Sequence, residues 1–309
     1  MDRAGEDSEA FLAGRLRFAD SLPAVGDWVA ARPVGAAAAL IEAVLPRQTQ
    51  FARRGAGVTF VRQVIAANID FAMIVCGLDG DFNLRRLERY LVLARESGAE
   101  PVIVLNKADT CDSIAACVDA ARRSAGGARV VVLSAVQTVA PLAAIARSRT
   151  VALLGSSGAG KSTIVNGLLG QNRQVTGAVR VADSRGRHTT TSRMLLPIPG
   201  GGAIIDNPGM RELRLLAGAE ALDDTFDDVS AFAQHCRFAD CSHTSEPGCA
   251  VREAIDTGKV EIGRWRSYRK LQRELQRHAL EQDAHARKIE KNRWKTIHKS
   301  LRDHPKYRR

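Results

Sequence analysis

The run Gly155-Ser-Ser-Gly-Ala-Gly-Lys-Ser-Thr163 constrains this chain more than any other feature. It follows the apolar stretch Val151-Ala-Leu-Leu154 and opens a helical stretch from Ile164 to Leu169. Glycines let successive backbone N–H groups curl around phosphate oxygens, and a helix N-terminus adds partial positive charge at the same place. Gly155, Ser156, Ser157, Gly158, Ala159, Gly160, Lys161, Ser162 and Thr163 therefore form the candidate phosphate cradle. Lys161 is directed to the β- and γ-phosphates and the Ser162 hydroxyl to Mg²⁺. Such a loop belongs between a strand and its crossover helix, so an α/β core is required.

The flanking sequence supplies that core. Ile69 to Cys76, Pro101 to Leu105 and Val130 to Leu133 are short apolar runs, and Asn83 to Ser97 has helical spacing through Leu84, Leu87, Leu91 and Val92. Near-continuous apolar strands alternating with helices predict a mostly parallel sheet covered on both faces. Met194 to Ile198 and Ala203 to Ile205, joined by Pro199-Gly-Gly-Gly202, read as an antiparallel hairpin. Before the core, Gly14 to Phe18, Gly26 to Ala30 and Leu40 to Leu45 are β segments separated by turn formers, which suits a small β-barrel. After Glu212 the pattern turns helical, with Trp265, Tyr268, Leu271 and Leu275 on one stripe and Trp294, Ile297 and Leu301 on a second. The expected division is a β domain at 1–62, an α/β domain at 63–217 and a helical C-terminal domain at 218–309.

The base can be argued from the loops beside the cradle. Strand 101–105 ends in Asn106-Lys107-Ala108-Asp109. A carboxylate at Asp109 accepts from both N1–H and the 2-amino group of guanine, a donor pair that adenine lacks. Asn106 is placed to tie the base edge to the phosphate loop, the stem of Lys107 to cover the base, and Ser134-Ala135 to offer a backbone N–H to guanine O6. Rejection of ATP follows from polar groups that adenine would leave unpaired, which disfavours a kinase or transport ATPase reading. Asp206-Asn-Pro-Gly209 adds a carboxylate for Mg²⁺ and, at Gly209, an N–H for the γ-phosphate. The polar run Arg187-His-Thr-Thr-Thr191 offers Thr190 to the metal and His188 to position water. The base-reading loop precedes the phosphate loop, whereas ordinary small GTPases have the reverse order, so the chain reads as circularly permuted. The loop at 206–212 consequently leads straight into the C-terminal segment.

The chain's net charge of +11 lies at one end, since Gly258 to Arg309 holds 17 Lys/Arg against 6 Asp/Glu. A basic segment of this kind seeks phosphate, and RNA is preferred over an anionic membrane because the apolar stripes are needed for packing. Cys76, Cys111 and Cys117 stand apart, but Cys236, Cys241, His243 and Cys249 fall in the spacing Cys-x4-Cys-x-His-x5-Cys. Three thiolates and an imidazole suit a closed, structural Zn²⁺ site, with His235 a second choice to His243. No apolar run approaches the ~20 residues of a membrane span, and the acidic N-terminus is unlike a secretory leader. A cytoplasmic monomer is expected.

Taken together these segments resemble the circularly permuted ribosome small subunit-dependent GTPase A family. The likeness is carried by Val25-Gly-Asp-Trp-Val29, Leu45-Pro-Arg47, Ala67-Asn-Ile-Asp70, Asn106 to Asp109, Gly155 to Thr163, Arg187 to Thr191, Asp206-Asn-Pro-Gly-Met-Arg211 and Cys241-Ser-His-Thr-Ser-Glu-Pro-Gly-Cys249. It implies an N-terminal OB-fold, a permuted GTPase core, a zinc-binding C-terminal domain, and a role in late maturation of the 30S subunit through 16S rRNA. GTP/GDP, Mg²⁺ and Zn²⁺ are the implied cofactors. Asn207 stands where the family usually has threonine, and little room is left for barrel strands before Gly14. Met210 occupies the position at which Ras-like enzymes carry the water-orienting glutamine. Slow intrinsic hydrolysis, stimulated by the 30S particle and followed by release, is the expected behaviour; the alternative is a nucleotide-gated rRNA-binding module with negligible turnover. Isothermal calorimetry is expected to find GDP bound and ADP rejected, and equal binding of the two would refute the guanine assignment.

Overall fold

A computed structural model of the chain describes residues 9–12, 22–34, 38–54, 62–171, 194–206, 210, 213, 215–216, 218–282 and 294. β1 (Glu9–Leu12), β2 (Val29–Pro33) and β3 (Ala38–Val44) form a sheet in the order β1-β3-β2, with β1 parallel and β2 antiparallel to β3. A strand thus does find room before Gly14, while the expected segment Gly14 to Phe18 lies outside the described residues. β4 (Gln50–Arg54) and β5 (Arg62–Ala67) make an antiparallel hairpin that carries the barrel-like part into the core. Here Phe51 and Ile65 are buried.

The segments that carry the family resemblance at this end are stitches. Arg47 donates from Nε and Nη2 to the two carboxylate oxygens of Asp27, both at 2.8 Å. The Asp27 side chain is 1% exposed, so this is a buried, bidentate pair of the stronger kind. Asn68 donates to Gly26 O at 2.9 Å and accepts from Gln48 N at 2.9 Å, and Asp70 accepts from Thr150 N at 2.7 Å. The β segments are thereby fixed to the core at its N-terminal edge.

The core follows in chain order: β6 (Phe71–Gly77), α1 (Leu84–Glu96), β7 (Glu100–Asn106), α2 (Ile114–Ser124), β8 (Arg129–Val132), α3 (Ala140–Ala146), β9 (Thr150–Gly155), α4 (Lys161–Leu169), β10 (Met194–Pro197) and β11 (Ala203–Asp206). The sheet order is β10-β11-β9-β6-β7-β8, parallel throughout except for the edge strand β10. Alternation of side chains across each strand builds two separate cores. Ile74, Ile103, Leu105, Leu154 and Ile205 point to the face covered by α1 and α2, and Met73, Val75, Val102, Val104 and Ile204 to the face covered by α3 and α4. The helix at Asn83 to Ser97 forms because Asn83 caps it, accepting from Arg85 N and Arg86 N at 3.0 and 3.1 Å. Its Leu87 and Leu91 are fully buried, each contributing about 1.5–3 kcal/mol.

The C-terminal part consists of α5 (Ala219–Thr225), α6 (Asp227–Ala233), α7 (Ala250–Asp256) and α8 (Ile262–Gln282). The stripe Trp265, Tyr268, Leu271 is buried as expected, whereas Ile297 and Leu301 of the second stripe lie outside the described residues. No helix among the described residues is long and apolar enough to cross a membrane. α8 is locked to α1 by charge. Arg264, 5% exposed, donates to Asp228 at 2.7 Å, to Thr225 O at 2.9 Å and to Glu88 at 3.3 Å, with its guanidinium 4.7 Å from the Phe226 ring centroid. Burial pushes the Glu88 carboxyl above its ordinary value, and Arg85 and Arg264 oppose that. Removing Arg264 leaves a fully buried acid with less compensation, so Arg264→Ala is expected to lower unfolding stability by about 3–5 kcal/mol in urea titration; a loss below about 1 kcal/mol would show that the network is dispensable.

Candidate functional site

Ligands bind α/β sheets beyond the C-terminal ends of the parallel strands, where crossovers diverge. Here the register sets Gly155 of β9 opposite Val75 of β6, and Gly77 of β6 opposite Asn106 of β7. Three loops therefore leave the sheet side by side. Asn106, 2% exposed, joins two of them and a third beyond: Nδ2 donates to Ala159 O at 2.9 Å and Oδ1 accepts from Ala135 N at 2.9 Å. The expected base-reading, phosphate and 134–135 segments are thus brought together. Of the backbone N–H groups of Ser134-Ala135, from which one is expected to face guanine O6, that of Ala135 is directed to Asn106 in this structure. Ser134 is buried, and its hydroxyl has no protein partner among the described residues, a polar vacancy that suits a ligand.

The phosphate loop is built as the motif requires. Gly160 has φ +95°, and a Cβ there would lie 2.1 Å from Asn106 Nδ2, so only glycine permits both the turn and the close amide. Lys161 donates to the carbonyls of Gly155, at 2.8 Å, and Ser156, which folds its ammonium back across the loop. Ser162 and Thr163 lie half-buried in the first turn of α4, where their N–H groups and the helix dipole favour an anion. Lys107 is in the left-handed region at φ +62°, and Asp109 is exposed in the short turn that follows. Asp206 ends β11. His188, Thr190 and Gly209 lie outside the described residues. Met210 is 3% exposed in the same core as Leu213 and Leu215, so this position supplies packing and no polar group.

Two acids escaped the sequence reading. Asp79 accepts a hydrogen bond from Lys107 Nζ, and Asp81 accepts from Ser156 Oγ and, at 2.7 Å, from Arg86. Their signal was available: they flank Gly80 directly after β6, the strand between the base-reading and phosphate-loop strands.

Among the described residues the metal-type cluster is Cys236, Cys241, His243 and Cys249, whose donor atoms all lie within 4.8 Å of one another. Cys236 Sγ is 3.4 Å and Cys249 Sγ 3.5 Å from His243 Nδ1, and the two sulfurs are 4.0 Å apart. A tetrahedron with Zn–S near 2.3 Å has edges of roughly 3.8 Å, so the donor set fits Zn²⁺. The rival His235 is exposed with its Nδ1 on Ala231 O at 2.8 Å. Burial lowers the His243 pKa, leaving the imidazole neutral and able to ligate at neutral pH. Burial raises the Cys236 thiol, but N–H groups of Val251 and Ala250 at the start of α7 together with hydrogen bonds from Cys241 and Cys249 oppose it, and the thiol lies below its ordinary value. Trp265 meets the His243 ring edge-on at 5.7 Å between centroids, so the cluster is seated on α8.

A phosphate loop and an Asn-Lys-x-Asp loop, side by side at the ends of parallel strands but in reversed chain order, define the class of circularly permuted P-loop GTPases. The family model described as RsgA GTPase matches residues 44–216. The small ribosomal subunit biogenesis GTPase RsgA of Opitutus terrae is 50% identical over 295 residues, covering 91% of this chain and 80% of that protein. Its counterpart from Xylella fastidiosa strain M23 is 51% identical over 255 residues, covering 81% and 75%. In structure the chain is similar to YjeQ from Thermotoga maritima, with TM-score 0.64 and 26% identity over 86% of this chain and 89% of that one. YloQ, a circularly permuted GTPase, shares the fold at TM-score 0.62 and 22% identity over 86% and 85%. The chain belongs to the RsgA GTPase family, and it is a GTP hydrolase.

Metal removal separates the two sites. One equivalent of zinc is expected by atomic absorption, and a chelator is expected to strip it and abolish hydrogen-exchange protection around 236–249 while GDP binding survives. Less than about a tenth of an equivalent would count against the cluster as a zinc site.

Proposed function

We propose that the protein binds the small ribosomal subunit late in its assembly, hydrolyses GTP there, and leaves after hydrolysis. The single observation that carries the nucleotide half is the Asn106 amide bridging the base loop to the phosphate loop. The ribosomal half rests on the names of the relatives and on the basic face of α8. There Thr244, Trp265, Arg266, Arg269, Lys270, Arg273 and Arg277 line an open groove of about 510 Å³ suited to an RNA phosphate backbone.

In this reading the chain works as three parts, 1–62, 63–217 and 218–309. Asn106, Lys107, Asp109, Ser134 and Ala135 hold guanine, and residues 155–163 hold the phosphates. Mg²⁺, held by Ser162, Thr190 and Asp206, would neutralise charge on the phosphate oxygens. Gly209 contacts the γ-phosphate and His188 orients the attacking water, since Met210 is buried and apolar. Zn²⁺ on Cys236, Cys241, His243 and Cys249 would be structural. The working form is a cytoplasmic monomer whose contacts are with 16S rRNA and not with membrane.

The burial of Met210 also favours a second reading, an rRNA-binding module gated by nucleotide with negligible turnover. A multiple-turnover GTPase assay titrated with purified 30S subunits across salt concentrations decides between them. Stimulation that falls steeply with salt is expected, and its absence would overturn the proposal in favour of the second reading. In the same assay His188→Ala is expected to lower stimulated turnover by about 100-fold with GTP affinity retained; native stimulated turnover would remove that residue from catalysis.

A further inference from the structure

We propose that Asp79 is a positioning residue for guanine recognition, holding the Lys107 ammonium away from Asp109 so that the Asp109 carboxylate stays available to the base. The inference rests on the guanine reading of residues 106–109. The loop that carries Asp79 leaves β6 between β9 and β7, the strands that end in the phosphate loop and the base loop. Leu78 N donates to Asn106 O at 2.9 Å, which ties the start of this loop to the base-reading one. Asp79 then accepts from Lys107 Nζ, while Asp81, two residues on, accepts from Ser156 Oγ and from Arg86. Arg86 also donates to the Asp81 carbonyl at 2.9 Å, and Asn83 caps α1. Asp79 is therefore presented by a loop fastened to the phosphate loop on one side and to a core helix on the other.

Lys107 and Asp109 carry opposite charges two positions apart in one turn, and Asp109 is exposed. An ammonium without another partner is drawn to the nearest carboxylate, and a carboxylate so engaged is a poorer acceptor for the N1–H and 2-amino donors of guanine. The Asp79 contact removes that competition. The side chains of Lys107 and Asp79 are 31% and 34% exposed. An ion pair this wet adds little to fold stability, so a large effect of losing it on nucleotide selection would be functional. Gly77 makes room for the arrangement, because a Cβ there would lie 2.5 Å from Asp79 Oδ1.

The test measures GDP and IDP affinities of the full chain by fluorescence competition, IDP being the analogue without the 2-amino group. Asp79→Ala is expected to weaken GDP by about tenfold, or about 1.4 kcal/mol, and to shrink the preference for GDP over IDP by about threefold. Turnover at saturating GTP is expected to change less than about twofold, so that the loss falls on binding. Asp79→Asn, which keeps an acceptor for Lys107, is expected to restore part of the preference. Gly77→Ala, which displaces the carboxylate while leaving it in the chain, is expected to reproduce the loss. A native GDP-to-IDP ratio in Asp79→Ala overturns the inference. Failure of the unsubstituted protein to prefer GDP over ADP would instead sink the guanine reading beneath it.

Discussion

The nucleotide site depends on the amide of Asn106. Its nitrogen donates to the carbonyl of Ala159 and its oxygen accepts from the N–H of Ala135, so one buried group ties three loops that are far apart in the chain. An amide is suited to this because it offers a donor and an acceptor on one rigid plane. A carboxylate would set charge against a carbonyl oxygen, and an apolar side chain would strand the buried Ala159 carbonyl at about 1–3 kcal/mol and leave the half-buried Ala135 N–H without its partner. Because the same side chain starts the Asn-Lys-x-Asp loop and touches the phosphate loop, the position of one loop is coupled to the position of the other. Gly160 completes the arrangement by leaving the amide space.

A second dependence runs through α1. Its leading loop touches the phosphate loop through Asp81 and the base loop through Asp79, and its body bears Arg85, Glu88 and Arg89, which pair with Glu261, Arg264 and Glu274 on or beside α8. One helix of 13 residues thus contacts the phosphate and Asn-Lys-x-Asp loops through the loop at its start and the C-terminal part of the molecule along its side. Chain permutation adds a covalent connection, because the segment after β11 leads on to α5. The zinc-type cluster in turn rests on Trp265 of α8, so the basic helix, the metal donors and the core share one packed junction.

Much of the fold was legible because it is local. The helix from Leu84 to Glu96 has an apolar stripe, an asparagine before it and a serine after it, all within a few turns. The strands at 71–77, 100–106, 129–132 and 150–155 are short apolar runs bounded by polar or glycine residues. The Cys-Cys-His-Cys cluster and the glycine-rich loop were equally readable, since each lies within a single short stretch of chain. The buried position of Met210 was not, because an apolar residue after a γ-phosphate loop reads the same whether it faces the site or the core.

Sequence by itself determined which segments form the glycine-rich loop, the Asn-Lys-x-Asp loop and the thiolate cluster, and that the first two occur in permuted order. Only the tertiary structure decided that Asp79 meets Lys107, that Asp81 meets Ser156, that Asp27 meets Arg47, and that Glu88 is buried against Arg264. Those pairs join residues 20 to 176 positions apart. Local propensity acts over a few residues, whereas strand register and crossover packing set which distant side chains arrive at the same point.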